Sequence, residues 1–402
     1  MRSTRGHATV DYVALVAVLA ILLAAALTVA TSGAPGIVNA VAGQIRRALC
    51  IVGGGSCPEL TRRPCVVAST RDGHHIAVSV LLARIDHDRY VLRERMSDAT
   101  VRLTVARSAG AGVEVGAGAR AGVTVRGRRI GLSDEARAGV QGVLGAGRVF
   151  VARDEREAEA FMRAIRDGRS PPSRPREVFV EGGPRGLGRI GIGSMLAGAS
   201  LEGLAGTTIG ARRDERTGEV TFALHWGGSG WGAATLTLGG PAGTADRATT
   251  LGLTLDRHRR PTELSLSAGG TLAAGTTLPP GLARVLGSES ASSMSTGGRR
   301  WELAARLDLR DPVVAAAWAR VRRDPGSGDA IRGLAEMIRD RAHLDVRAYR
   351  TSGSYDGAAA GISIGPRIGG EYDHTIDRSR LLAASSRPPG GLWEPRLDCV
   401  LR

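Results

Sequence analysis

A mainly β fold with a few covering helices is predicted for this 402-residue chain, and three observations predict it. Apolar residues alternate with polar ones in many short segments, for example at Val101, Leu103 and Val105, which is typical of strands with one buried face. Glycine fills 57 positions without a G-X-Y period, about twice its usual share of roughly 7%. One apolar run, from Tyr12 to Ala30, precedes all of these segments. We therefore predict an α+β chain with an N-terminal transmembrane helix, followed by an antiparallel Gly-rich β-sheet or an open barrel.

Turn sequences separate the predicted strands. Aspartate, glycine and proline, which favour tight connections between antiparallel strands, cluster at 214–218, 227–230 and 256–261. Consecutive strands are therefore expected to pair as hairpins in a long meander. Alternating apolar residues mark strands near 101–105, 113–115, 123–125, 220–226, 251–255, 264–266, 303–309 and 362–364.

Three short helices are predicted to cover the sheet. They span 154–167, 311–323 and 329–342, and each begins at or near an aspartate that suits an N-cap. The three prolines of 170–175 indicate a linker. The predicted organisation is therefore a leader (1–6), a transmembrane helix (7–32), a cysteine-containing junction (33–70), an α/β region (71–170) and a Gly-rich antiparallel β region (176–402).

The charge of the chain comes from arginine alone. All 54 basic residues are arginines, and Asn39 is the only asparagine. This bias is typical of GC-rich genomes such as those of actinobacteria. The absence of lysine excludes a Walker-A phosphate site and a Schiff-base mechanism. A net charge of +15 favours anionic partners such as cell-wall polymer, DNA or lipid headgroups, whereas 3% aromatic residues are too few for a base-stacking surface.

The N-terminal apolar run is the strongest local signal in the sequence. It contains no charged residue over about nineteen positions, which is enough for a helix to cross a bilayer. Arg2 and Arg5 precede it and favour a cytoplasmic N-terminus. The sequence thus predicts a single-pass protein of the cell membrane whose C-terminal domain is extracellular, with the lipid bilayer as its first partner.

The residues just before this run resemble a known leader. Gly6, His7, Asp11 and Tyr12, followed by the apolar helix, resemble the class III leader of Tad-type (type IVb) pilins and pilin-like proteins. The resemblance covers about the first thirty residues and implies cleavage by a prepilin peptidase between Gly6 and His7. It implies that Asp11, where the family usually has glutamate, and Tyr12 help the subunit to assemble. Pilus or secretion subunits are the partners that it implies.

Four cysteines are present: Cys50, Cys57, Cys65 and Cys399. An even number in a translocated domain indicates two disulfides. A bond from Cys399 to one of the three early cysteines would join the C-terminus to the membrane-proximal segment, and three connectivities remain open. A zinc site is disfavoured because six and seven residues separate the early cysteines, rather than the usual two to four.

Catalytic motifs are absent from the sequence, so no enzyme activity and no cofactor are predicted. The densest group of metal-binding or acid–base side chains comprises His74, His75, Asp86, His87 and Asp88. A polar loop followed by a charged turn is the preferred explanation of these residues.

Three functions follow from these observations. The first is a membrane-anchored structural or interaction protein of the cell surface with a pilin-like N-terminus. The second is an arginine-rich module that binds anionic cell-wall polymer or DNA. The third is an extracellular hydrolase that uses the His74–Asp88 group.

Overall fold

The computed structural model describes residues 63–400, except 126–127, 194–197, 236–240, 277–295 and 325–326. The predicted leader and transmembrane helix lie outside the described residues and stay predictions. Within the part that the structure describes, no helix has the length and apolar character needed to cross a membrane.

In the described residues, thirteen strands form one continuous antiparallel sheet, and each strand pairs with the next along the chain. They are β1 (Val66–Leu81), β2 (Ala83–Met96), β3 (Val101–Val125), β4 (Arg128–Ala152), β5 (Glu177–Gly193), β6 (Gly198–Asp214), β7 (Val220–Thr235), β8 (Pro241–Leu255), β9 (Pro261–Thr276), β10 (Thr296–Asp308), β11 (His343–Gly365), β12 (Arg367–Arg387) and β13 (Glu394–Pro395). This confirms the predicted mainly β antiparallel fold.

The sheet closes on itself. Strand β1 pairs with β12 over a long register that runs from Ala68 opposite Arg380 to Leu81 opposite Arg367. Strands β1 to β12 therefore form a closed barrel, and the short β13 adds to the end of β12. The prediction of an open sheet or open barrel is wrong on this point, because the β1–β12 pairing joins distant parts of the chain and leaves no local signal.

The strands tilt around the barrel axis. We call the end with the β1–β2 turn at Leu82 the upper end. Residues that pair directly across successive strands form a row around the barrel. One such row starts at Ala83 near the upper end, passes Arg247 on β8 and reaches Ala383, near the lower end of β12. Rows therefore descend as they circle the barrel, which is the stagger that tilted strands require.

At the upper end, the long β3–β4 hairpin extends past the seam, the line along which β1 pairs with β12, and contacts β11. Residues 116–124 of β3 pair with residues 357–365 of β11, in addition to their pairing with β4. Gly365 ends β11 with φ of +76°, a conformation that glycine adopts at little cost.

Three helices cover the lower part of the barrel from outside: α1 (Glu155–Arg166), α2 (Pro312–Arg323) and α3 (Gly328–Arg341). The side chains of Asp154 and Asp311 accept backbone N–H bonds at the starts of α1 and α2, as predicted. The third helix begins one residue before the predicted aspartate and is capped by Ser327. A one-turn helix, α4 (Leu397–Val400), ends the described chain.

Two of the three predicted turns are confirmed. Asp214 accepts backbone N–H bonds at the β6–β7 connection, and Asp256 does so at the β8–β9 connection. The backbone N–H of Arg260 is the main reason that the pKa of Asp256 lies below its ordinary value. The third prediction is wrong, because residues 227–230 lie inside β7. A Cβ at Gly227 would come within 2.7 Å of the carbonyl oxygen of Arg247, so glycine there permits close strand approach.

The two ends of the described chain meet at the lower end of the barrel. Cys65 and Cys399 form a disulfide across a sequence separation of 334 residues. Both sulfurs are buried in an apolar cluster that includes Tyr349 and Leu381. Burial, together with the charge of Glu302, raises the pKa of Tyr349, whose hydroxyl donates a 3.3 Å hydrogen bond to that carboxylate. Cys50 and Cys57 lie outside the described residues.

Removal of this disulfide is expected to destabilise the barrel. The double variant Cys65→Ser/Cys399→Ser should lose about 2–5 kcal/mol of unfolding free energy, because the bond closes a very long loop in the unfolded chain. Guanidinium unfolding followed by tryptophan fluorescence, with and without reductant, measures the loss. Reductant should weaken the wild type much more than the double variant. Equal stability of both proteins would contradict the account.

Candidate functional site

Alternation along the upper parts of the strands places charge inside the barrel and apolar groups outside. On β3, Glu114 is 1% exposed, whereas its neighbours Val113 and Val115 are 59% and 49% exposed. On β12, Arg367 is 1% exposed and the adjacent Ile368 is 66% exposed. Water-soluble barrels generally use the opposite arrangement, with apolar side chains inside.

Glu114 is the centre of a buried ionic cluster in the lumen. Its two carboxylate oxygens accept hydrogen bonds from Arg367 (2.7 Å), Arg84, Arg137 and Ser79 (3.0 Å each). These donors lie on β12, β2, β4 and β1, so the carboxylate ties together both sides of the barrel seam. Charge-assisted bonds of this kind are stronger than neutral ones.

Further acids and one more arginine complete the cluster. Glu371 lies 3.1 Å from Arg137 and 3.5 Å from Arg189. Glu135 lies 3.2 Å from the same Arg367 that binds Glu114. We call the eight residues the charge cluster; its formal charge is zero, because four arginines balance four acids. The members are Arg84, Asp86, Glu114, Glu135, Arg137, Arg189, Arg367 and Glu371, and all are at most 9% exposed.

The outer face at the same height is apolar. Its side chains include Leu144 and Ile364, which are 72% and 83% exposed. None of the outward-facing residues in the five segments given below is charged. The three segments on β4, β5 and β6 have the length of about 9–11 residues with which a tilted strand crosses a bilayer. We call this surface the outer belt. Its segments on β3 to β7 are 109–115, 136–146, 180–188, 203–211 and 222–228. It continues on β1 and β2 with Ile76, Val78, Val80 and Ile85, and across the seam on β11 and β12 with Ile362, Ile364 and Ile368.

Two rows of arginines lie on the outer face at the lower border of the outer belt near the seam. Arg89 of β2 lies directly opposite Arg107 of β3, and Arg350 of β11 lies directly between Arg299 of β10 and Arg380 of β12. All five are exposed on the outer face. Because paired rows descend around the barrel, the two rows lie at about the same height. We call these five residues the arginine rows.

The arginine rows concentrate positive charge without internal compensation. Within the described residues, none of the five takes part in an ion pair. Like charges directly opposite each other on neighbouring strands are destabilising. An external anion between them would remove this repulsion.

Below the arginine rows the outer face is covered by protein. Helix α1 packs Phe161 edge-on against Phe150, with ring centroids 6.1 Å apart, and both are buried with Leu103. Helices α2 and α3 cover a second apolar cluster that contains Leu264 and Leu307. The lower barrel is therefore built like a soluble domain, while the upper barrel leaves its apolar face bare.

The predicted histidine–aspartate group does not form one site. The β1–β2 hairpin brings its members together, but strand alternation divides them between two faces. His75 and Asp88 point inward and form a 2.5 Å hydrogen bond, and Asp86 points inward beside Arg84. His74 and His87 lie on the outer face, where both are exposed. The predicted leader residues Gly6, His7, Asp11 and Tyr12 lie outside the described residues.

The charge cluster was not predicted from the sequence, although the sequence contains a signal for it. Glu114, Arg137 and Arg367 are single charged residues whose immediate neighbours are valine, alanine, proline or isoleucine. In a strand, this pattern places the charge on one face and apolar groups on the other. Read in this way, it would have indicated a charged lumen.

Comparison with known proteins gives no family. No protein-family model and no curated protein sequence matches the chain. Among solved structures, the transport unit of the autotransporter AIDA-I from Escherichia coli is similar over 84% of this chain and 97% of its own, with 7% identity and a TM-score of 0.16. Pseudomonas putida OprB matches over 82% and 97%, with 8% identity and a TM-score of 0.17. The P. putida toluene transporter TodX matches over 79% and 90%, with 5% identity and a TM-score of 0.11. These scores are too low for any property of those proteins to be transferred to this chain.

Proposed function

We propose that this protein is a membrane-embedded protein of the cell surface, with a structural or interaction role, whose barrel holds it in a lipid bilayer. The outer belt is the observation on which the proposal rests. A large exposed apolar surface is costly in water, whereas in a bilayer only helices and closed barrels satisfy all backbone hydrogen bonds. A closed barrel that is apolar outside and charged inside meets both requirements.

The charge cluster keeps the lumen closed in this proposal. Four arginine and four acidic side chains lie buried inside the barrel beneath the upper end, and the disulfide-linked apolar cluster lies at the lower end. The barrel is thus an anchor with a filled interior rather than an open pore. A catalytic role is not proposed, since the five polar residues considered for a hydrolase lie on two faces of the sheet.

The pilin-like leader supplies a second, separate proposal about the N-terminus. Cleavage after Gly6 by a prepilin peptidase would release a chain that starts at His7 and joins pilus or secretion subunits. N-terminal mass spectrometry of membrane-fraction protein from the native host tests it. We expect a mature chain beginning at His7, and a chain that begins at Met1 would contradict the proposal.

Binding to anionic surfaces is a second candidate function, and the arginine rows favour it. Guanidinium groups bind phosphate oxygens in a bidentate manner. At the border of the outer belt they lie where lipid headgroups or cell-wall polymer would meet the barrel. Changing Arg350 and Arg107 to glutamine should weaken binding to vesicles with anionic lipid and leave binding to zwitterionic vesicles nearly unchanged. Binding unaffected by roughly molar salt would contradict this electrostatic role.

Vesicle flotation tests the barrel anchor against the helical anchor. The full chain and a variant that lacks residues 1–62 are reconstituted from detergent into liposomes, washed with alkaline carbonate and floated in a density gradient. The variant retains the whole barrel and both cysteines of the observed disulfide. We expect both proteins to float. If only the full chain floats, the N-terminal segment is the anchor and the barrel proposal is wrong.

A further inference from the structure

We propose that Asp72, His74 and His374 form a zinc-binding site on the outer face of the barrel. The site is independent of the membrane proposal. His74 of β1 lies directly opposite His374 of β12, and Asp72 precedes His74 by two positions on the same face. The Nε2 atoms of both histidines approach the same carboxylate oxygen of Asp72, at 2.8 Å for His374 and 3.7 Å for His74.

These distances suit a tetrahedral metal. Ligands bound to Zn²⁺ at about 2.0–2.1 Å lie about 3.4 Å from one another. The two measured distances are on either side of this value, and all three ligand atoms lie within 4.8 Å of one another. An ion at this position replaces the proton of the hydrogen bond between His374 and Asp72, once one imidazole ring has rotated to aim its Nε2 lone pair at the ion. Two imidazoles and one carboxylate are a typical zinc ligand set that leaves the fourth position to water.

Neighbouring side chains contact the two imidazoles. The rings of His74 and His374 are stacked, with centroids 4.4 Å apart and planes 5° apart. Because each Nε2 lone pair lies in the plane of its own ring, one ring rotates before both bind the same ion. The Nδ1 atom of His74 lies 3.1 Å from the Tyr372 hydroxyl. When Nε2 binds a metal, Nδ1 keeps its proton and donates it to this hydroxyl oxygen. Metal-bound histidines commonly have such a partner on the second nitrogen, and it fixes ring orientation.

The surroundings of the site balance its charge and leave it accessible. Arg89 lies opposite His74 on β2 and disfavours a cation, whereas Asp356 lies opposite His374 on β11 and favours one. The side chains of Asp72 and His74 are about half exposed, at 48% and 46%. A solvated metal ion can therefore reach the ligands directly.

Metal titration of the untagged full chain in detergent tests the proposal. After removal of metals with a chelator, Zn²⁺ binding is measured by calorimetry, and Co²⁺ absorption separates nitrogen and oxygen ligands from cysteine thiolates. We expect one saturable site that is lost in His374→Ala and in Asp72→Asn. Tyr372→Phe should weaken binding by roughly 10–100-fold, the usual effect of removing an outer-shell partner.

His87→Ala is the matched control, because His87 is another exposed histidine on the same face of the same hairpin. It should bind Zn²⁺ as the wild type does. Asp72→Asn preserves the shape of the side chain, so a loss of binding in this variant is not a loss of fold. The proposal is overturned if the wild type shows no saturable Zn²⁺ site, if the site has thiolate absorption, or if His374→Ala binds as tightly as the wild type.

Discussion

Substitution of Glu114 by glutamine is expected to destabilise the barrel by about 3–5 kcal/mol, the usual cost of removing one partner from a buried ion pair. The carboxylate accepts four hydrogen bonds from four different strands. Glutamine keeps the volume but leaves the charge cluster with one uncompensated positive charge. Guanidinium unfolding of the detergent-solubilised protein, followed by circular dichroism, measures this loss.

An exposed ion pair provides the control for this experiment. Asp329 pairs with Arg332 on helix α3, and both side chains are at least 77% exposed. Asp329→Asn should change stability by less than about 1 kcal/mol, because solvent-exposed pairs contribute little. An equally small effect of Glu114→Gln would mean that water or ions screen the lumen, and the closed-lumen account would then fail.

Introduction of arginine into the outer belt is the second large effect that we expect. Val113→Arg and Val140→Arg should each lower the stability of the membrane-inserted barrel by about 2–4 kcal/mol, the cost of a lipid-facing arginine near the bilayer midplane. Both residues are exposed on the outer face, at 59% each, and they pair directly above the arginine rows. Reversible urea unfolding from vesicles measures the loss, and flotation shows whether insertion survives.

Position 313 supplies the matched control. Val313 is 46% exposed on helix α2, below the arginine rows. Because the proposal places this helix in water, Val313→Arg should change stability and flotation very little. If arginine is tolerated equally at 113, 140 and 313, the outer belt does not face lipid.

Local patterns predicted the strands, turns and helices well. Alternation identified strands such as that around Val101–Val105, and aspartates identified the turns at Asp214 and Asp256 and two helix starts. Each of these features depends on residues close together in sequence, where propensity and capping act directly. The glycines of β7 were misread as a turn, because the same residue also permits close packing of strands.

The closure of the barrel, the charge cluster and the histidine pair could not be predicted from local patterns. The β1–β12 pairing and the Glu114–Arg367 contact join residues hundreds of positions apart. Only the register of the finished barrel places His374 opposite His74. Proximity in sequence therefore grouped His74 with His75 and Asp88 and left out His374 and Asp72. The alternation of charged and apolar residues was visible in the sequence. Which of the two sets lies inside the barrel could be decided only once the closed sheet was known.

Footprinting with a diazirine-bearing phospholipid tests the central claim most directly. The full chain is reconstituted in vesicles, the acyl-chain probe is activated by light, and labelled residues are mapped by mass spectrometry. We predict labelling at alternate, outward positions of 136–146 and 203–211, with none at Glu114 or on helix α2. Labelling confined to residues 7–32, with the barrel unlabelled, would show that a helix anchors the protein and would contradict the membrane-embedded barrel.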